Sequence, residues 1–202
     1  MSRKFVVAIC GASGAVYGVR LLRALVQVPA DIFLIVSEAG QKVLQHEMGY
    51  QGESMISFLE RSGVNFHEQA SLKCYEPSDL FAPPASGSFR HEAMVIAPCS
   101  MRTLANISSG IAENLIHRAA DVCLKEKRPL ILLPREMPLS RIHLKNMLRA
   151  DSAGATIIPP SPSFYFHPQS IEALVDTVVA RVLDHLHVEH QLSRQWGEFV
   201  NE

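Results

Sequence analysis

Five short apolar runs constrain this chain more than any other feature. They are KFVVAIC (4–10), DIFLIVS (31–37), AMVIAP (93–98), PLILLP (129–134) and GATIIPP (154–160), each bounded by turn residues. Such runs suit parallel strands covered on both faces. Helical periodicity fills the intervals, at about 16–28, 38–48, 100–126 with a break near Gly110, 138–150 and 168–187. Strands alternating with helices predict a doubly wound sheet: a three-layer α/β/α, Rossmann-like (flavodoxin-like) domain with a mostly parallel sheet. The segment 68–92 is irregular and rich in Pro and Ser, the kind of long loop that serves a site or an interface.

The last helix carries the clearest stripe: Ile171, Leu174, Val175, Val178, Val179, Val182, Leu183 and Leu186. Pro168 fits its first turn. Arg181 lies about 110° from the stripe centre, at the edge of the buried face, where its head reaches toward a site. One domain over 1–187 accounts for these elements, and 188–202 is a polar tail that holds the only tryptophan, Trp196.

Composition narrows the function. Charged residues are 19% of the chain, below the roughly 25% of an average domain, so part of the surface is expected to be buried against other subunits. A net charge of −1 argues against a nucleic-acid partner. No apolar run approaches the roughly 18 residues of a membrane span. The N-terminus MSRKFVVAIC enters a strand directly, unlike a signal peptide. Cys10, Cys74, Cys99 and Cys123 show no C-x-x-C pairing and read as reduced thiols of a cytoplasmic protein.

In an open α/β sheet, ligands bind beyond the carboxyl ends of the strands. The first run ends in Gly11-Ala12-Ser13-Gly14, followed by Gly18. This spacing is neither the dinucleotide fingerprint nor the P-loop, yet its strand-turn-helix setting is that of a phosphate-binding turn. The second run ends at Ser37, the third in PCSMRT (98–103), the fourth in PREMP (134–138) and the fifth in PPSPSFYF (159–166). Ser13, Ser100 and Thr103 are natural donors to a phosphate at helix starts. Each could equally be a helix cap, and their number on one edge favours a site.

Arg118 and Lys125 stand two helical turns apart, about 10.5 Å along one face, with Asp121 between them. They form either surface salt bridges or a grip on a phosphorylated substrate, with Asp121 fixing the Arg118 guanidinium. Glu136 follows an apolar strand beside Arg135 and is the best general acid/base candidate; a helix-start charge is the plainer reading. Tyr165, in the aromatic loop 163–168, packs there or offers a hydroxyl. His185, His187 and His190 fit a helix end better than a metal site, and Cys99 has no histidine at a triad spacing.

Taken together, GASGAVYGVRLL, SGSF, the span from APCSMRT to PREMPLSRIHLKNM, and AGATIIPPSPSFYFHPQS with its helix resemble the UbiX-type flavin prenyltransferases over most of 5–186. One departure is Met137, where that family usually has Thr. The resemblance implies a metal-independent transferase that joins a dimethylallyl group from dimethylallyl phosphate to N5 and C6 of reduced FMN. The prenylated FMN then serves a UbiD-type decarboxylase in ubiquinone biosynthesis. It implies a homo-oligomer, commonly a dodecamer, with sites between subunits.

Carried over by motif, Gly11, Ala12, Ser13, Ser37, Ser100, Met101, Arg102, Thr103 and Arg135 would contact FMN. Ser88, Phe89, Arg118, Lys125, Tyr165 and Arg181 would surround the prenyl donor, with Ser88 and Phe89 reaching in from a neighbouring subunit. Glu136, Ser13 and Lys125 would carry the chemistry, and Trp196 of the tail would close over the site. A flavin-dependent cysteine decarboxylase has a similar sheet, but Ser37-Glu38-Ala39-Gly40 here lacks the His that family places after its second strand. A non-enzymatic flavin carrier would have no use for Arg118, Lys125, Glu136 and Arg181.

Overall fold

The computed structural model describes residues 2–165 and 167–193. Six strands form one parallel sheet in the order β3-β2-β1-β4-β5-β6. They are β1 (Arg3–Ile9), β2 (Ala30–Val36), β3 (Ser71–Tyr75), β4 (Ala93–Cys99), β5 (Leu130–Pro134) and β6 (Ala155–Ile157). Seven helices accompany them: α1 (Ala15–Leu25), α2 (Glu38–Met48), α3 (Met55–Arg61), α4 (Met101–Ser108), α5 (Leu115–Lys125), α6 (Arg141–Ser152) and α7 (Ile171–His185).

The pleat of β1 divides the core. Phe5, Val7 and Ile9 face α1, α3 and α7, while Val6, Ala8 and Cys10 face α4 and α5. Burial on both faces is why the five runs carry no polar alternation. Gly18 lets α1 lie close on the sheet, because a methyl there would overlap the Ala97 carbonyl oxygen. Arg20 ties α1 to α7 with a two-pronged bond to Asp176, at 2.8 and 2.6 Å.

Four sequence expectations are corrected. The segment 68–92 is not wholly irregular: it contains β3, an edge strand in which only Leu72 is buried, so no apolar run betrays it. Helix α3 was not expected, although Ser54 caps it and Met55, Phe58 and Leu59 are its buried face. The helix after β5 starts at Arg141 under a Ser140–His143 capping box rather than at Pro138. Helix α7 starts after Ser170, which accepts from the Ala173 N–H, so Pro168 lies outside its first turn. Ile171 accordingly falls off the stripe and is 78% exposed.

Candidate functional site

The chain runs outward from β1 to β2 and β3, then crosses back to β4 on the other side of β1. That reversal opens a crevice beyond the strand ends, the usual ligand position in such sheets. Here it is a cleft of about 720 Å³ whose lining includes Gly11, Ser37, Ser100, Arg102, Thr103 and His117. Its size falls in the range of small-molecule sites.

Two helices start at this cleft under serine caps, and α5 starts there too, under Asn114, whose Oδ1 accepts from the His117 N–H at 3.0 Å. Ser37 Oγ accepts from the Gly40 N–H at 2.9 Å, and Ser100 Oγ accepts from the Thr103 N–H at 3.2 Å. Ser100 also donates to Thr103 Oγ1 at 3.0 Å, and Thr103 donates to Cys10 Sγ at 3.4 Å. Both serines therefore cap helices and line the cleft, so the two readings of them are compatible. The starts of α2 and α4 turn partial positive charge toward the same space, which suits an anionic group.

The glycine turn works differently. Gly14 sits at φ 103, a left-handed conformation that a side chain would strain, and it gives α1 no side-chain cap. Glu47, from the end of α2, fills that place: its Oε2 accepts from the Gly14 and Ala15 N–H groups at 2.9 and 3.0 Å. Burial acts to raise the Glu47 pKa. The Ser13 hydroxyl, those two N–H groups and the Arg135 charge outweigh it and hold the carboxyl below its usual range. Arg135 Nε donates to the Ser13 carbonyl at 3.0 Å, so the turn is held from both sides. The start of α1 is thus occupied by the chain's own carboxylate, while the starts of α2 and α4 face the cleft.

Glu47 and His117 were missed in the sequence. Glu47 stands 33 residues from the turn it caps, and no spacing announces it. His117 is buried at the cleft wall, where burial lowers its pKa and favours the neutral ring. Its signal was its place near the start of α5, three residues after the Asn114 cap that also lines the cleft.

The remaining expected residues occupy other parts of the surface. Ala12, Ser13 and Met101 adjoin the cleft-lining Gly11, Ser100 and Arg102. Glu136 is exposed just past β5, where its Oε1 accepts from the Met137 N–H at 3.0 Å. On α5, Arg118 bonds Asp121 at 2.8 Å and the Ala85 carbonyl at 3.0 Å, and Lys125 pairs with Glu126. Asp121 does fix the guanidinium. Ser88 lies in the loop over α5 of the same chain, its hydroxyl 2.8 Å from that of Ser86. The Phe89 ring packs within its own chain, 4.7 Å from Phe33.

Arg181 does not reach inward from the edge of the buried face. It is exposed and bonds Asp184 one turn on, at 2.7 Å. Tyr165 is exposed in a loop that Ser163 ties to Thr177 of α7 at 3.0 Å. Trp196 lies outside the described residues. His190 bonds Asp184, and among the described residues no three metal-binding side chains converge. Cys99 is buried with its thiol pKa pushed well up, and Cys10 is pushed up to about 11, both chiefly by burial. Neither supplies a ready thiolate.

Fold and cleft together define a flavoprotein-type α/β domain, and the Flavoprotein family model matches residues 1–183. A flavin prenyltransferase UbiX of Pseudomonas aeruginosa is 46% identical over 200 residues, covering 96% of this chain and 94% of the relative. Among solved structures, AnUbiX in complex with FMN and dimethylallyl pyrophosphate is 40% identical, with TM-score 0.86 over 97% of this chain and 98% of that one. A dodecameric FMN-dependent UbiX-like decarboxylase from Escherichia coli O157:H7 is 42% identical, with TM-score 0.85 over 96% of this chain and 98% of that one. The chain belongs to the UbiX-type flavin prenyltransferase family.

Proposed function

We propose that this protein joins a dimethylallyl group from dimethylallyl phosphate to N5 and C6 of reduced FMN. The observation that carries the reading is the strand-edge cleft with two serine-capped helix starts, in a chain that matches UbiX relatives over nearly its whole length. The cleft residues fit FMN. Ser37, Ser100, Thr103 and the N–H groups of α2 and α4 suit its phosphate. Gly11 and Arg102 line the cleft, Ala12 and Met101 adjoin them in the chain, and Ser13 and Arg135 belong to the clamped turn.

Glu136 moves the protons: it takes one from the flavin N5 and returns one to the departing phosphate, with Ser13 beside it. A monophosphate leaves poorly, so Lys125, Arg118 and Arg181 stabilise its growing charge, with the Ser88 and Tyr165 hydroxyls as further donors. Phe89 and Trp196 complete the donor pocket, Trp196 on a tail (188–202) that closes over it. An aromatic face attracts an allylic cation.

Within one chain Lys125, Glu136 and Arg181 lie on three separate elements, each away from the cleft lining, so a neighbouring copy completes the site. Met137, next to Glu136, and Ile142 and Leu148 of α6 are 84, 69 and 66% exposed and offer apolar surface for such contact. The dodecameric E. coli relative supports an assembly of that size. No helix among the described residues is long and apolar enough to cross a membrane. The protein is proposed to work in the cytoplasm and to pass prenylated FMN to a UbiD-type decarboxylase of ubiquinone biosynthesis.

The test mixes the protein with FMN, dithionite and dimethylallyl phosphate under argon and weighs the flavin. A flavin heavier by one dimethylallyl group is expected, with excess EDTA making no difference. Unchanged flavin sinks the reading, and loss of product in EDTA sinks the metal-free form of it.

A further inference from the structure

Arg128 lies just past α5 and reaches back over the loop that carries Ser86 and Ser88. Its Nη2 donates to the Gly87 carbonyl at 2.6 Å and its Nη1 to the Phe89 carbonyl at 2.7 Å. The same Nη1 stands 3.4 Å from His91 Nδ1, and His91 Nε2 meets Cys123 Sγ at 3.2 Å. At the other end of the loop, Arg118 Nε donates to the Ala85 carbonyl at 3.0 Å. Two guanidiniums from α5 and its end thus hold the carbonyls of 85, 87 and 89. The intervening Ser86 and Ser88 are left exposed, with their hydroxyls 2.8 Å apart.

The loop is pressed close to α5. A Cβ on Gly87 would stand 2.8 Å from Lys125 Nζ and 2.5 Å from Glu126 Oε1. The ammonium therefore lies against the loop backbone next to Ser88. Arg128 is half-buried behind this arrangement and lies outside the lining of the strand-edge cleft.

We propose that Arg128 is a positioning residue for the prenyl donor. It pins the loop on α5 so that the Ser88 hydroxyl and the Lys125 ammonium meet the donor's phosphate as a preformed pair. The inference rests on the reading of those two groups as phosphate ligands. A guanidinium suits the task because its planar fork reaches two carbonyls at once, which an ammonium does not. Without the fork the loop spends only a fraction of its time in the competent arrangement. The apparent affinity for the donor falls by that fraction, while the rate at saturation and the FMN cleft are untouched.

The experiment compares wild type, Arg128→Ala and Arg128→Lys. It measures KM for dimethylallyl phosphate, kcat, FMN affinity and amide hydrogen exchange in 86–91. Arg128→Ala should raise KM about 10- to 100-fold, the tax for a loop competent about 1–10% of the time. Its kcat and FMN affinity should stay near wild type, exchange in 86–91 should quicken, and added guanidinium ion at non-denaturing concentration should lower KM again. Arg128→Lys should show a smaller rise, and it decides the matter by the same readouts if Arg128→Ala does not fold. An unchanged KM, or a matching loss of FMN affinity, overturns the proposal. If wild type transfers no prenyl group, the functional reading fails instead, and unchanged exchange in the variant then overturns the clamp separately.

Discussion

At the strand edge, Ser37 and Ser100 are held by backbone that they cap, Thr103 is held between Ser100 and Cys10, and the glycine turn is gripped by Glu47 and Arg135. On α5, Arg118 and Lys125 are instead paired with carboxylates of the same helix end, side chains 37–44% exposed. The first region is complete within one chain and needs no rearrangement to receive a ligand. The second must exchange partners. Exposed ion pairs are worth only about 0–1 kcal/mol, so that exchange costs little against a phosphate. One region holds its polar groups in helix caps and a clamped turn, the other holds its cations in exposed ion pairs.

The sharpest test of that division is Glu136→Gln, which keeps the shape and loses the proton. Turnover should fall by about 10²–10⁴ with FMN binding intact, and saturating donor should not restore it. A wild-type rate would leave Glu136 no more than its bond from the Met137 N–H and pass its role to Ser13. Next is Lys125→Ala. Use of dimethylallyl phosphate should weaken by about 10- to 150-fold, the loss of one charge-assisted contact, while FMN affinity holds. Equal loss in both would erase the distinction between the regions.

Ser100→Ala probes the other side. It should weaken FMN binding about tenfold and leave the KM for the donor nearly unchanged. Titration of flavin fluorescence reads the first, and a donor defect of equal size would again merge the two sites.

The smallest effect belongs to Glu47→Gln. Gln keeps an oxygen that can accept from those N–H groups but removes the negative charge at the start of α1, which should cost about 0.3–1 kcal/mol, toward the lower end because the side chain is exposed. The Glu47 pKa is lowered in the folded protein, so its contribution is present above the ordinary value of 4.5 and fades as pH falls through the folded value. The gap in melting temperature between wild type and variant should therefore close in acid. A gap that stays constant would assign it to packing.

The sequence exposed what depends on local pattern. Apolar runs marked β1, β2, β4, β5 and β6 because each is covered on at least one face by long helices, and the hydroxyls at their ends marked the cleft. β3 was hidden because an edge strand with Lys73 and Cys74 exposed carries no apolar run. Glu47 was hidden because a cap supplied from a distant helix has no sequence spacing. Arg181 misled because angular position on a helix gives the direction of a side chain but not the carboxylate, Asp184, that claims it. The combination of Arg118, Lys125 and Asp121 was read with both alternatives open; the structure shows the Arg118–Asp121 ion pair, and Lys125 pairs with Glu126 rather than with Asp121.

The buried thiols carry a consequence for life in air. Reduced flavins pass electrons to oxygen and release peroxide, which attacks thiolates and spares thiols. Cys10, bonded by Thr103 at the cleft's floor, and Cys123, pushed up to about 12 by burial, stay protonated at neutral pH. Cys99 does the same beside them. Only Cys74, out on the edge strand, is open to solvent. A chain proposed to handle reduced flavin thus keeps Cys10, bonded to the cleft-lining Thr103, in the thiol form that peroxide attacks least.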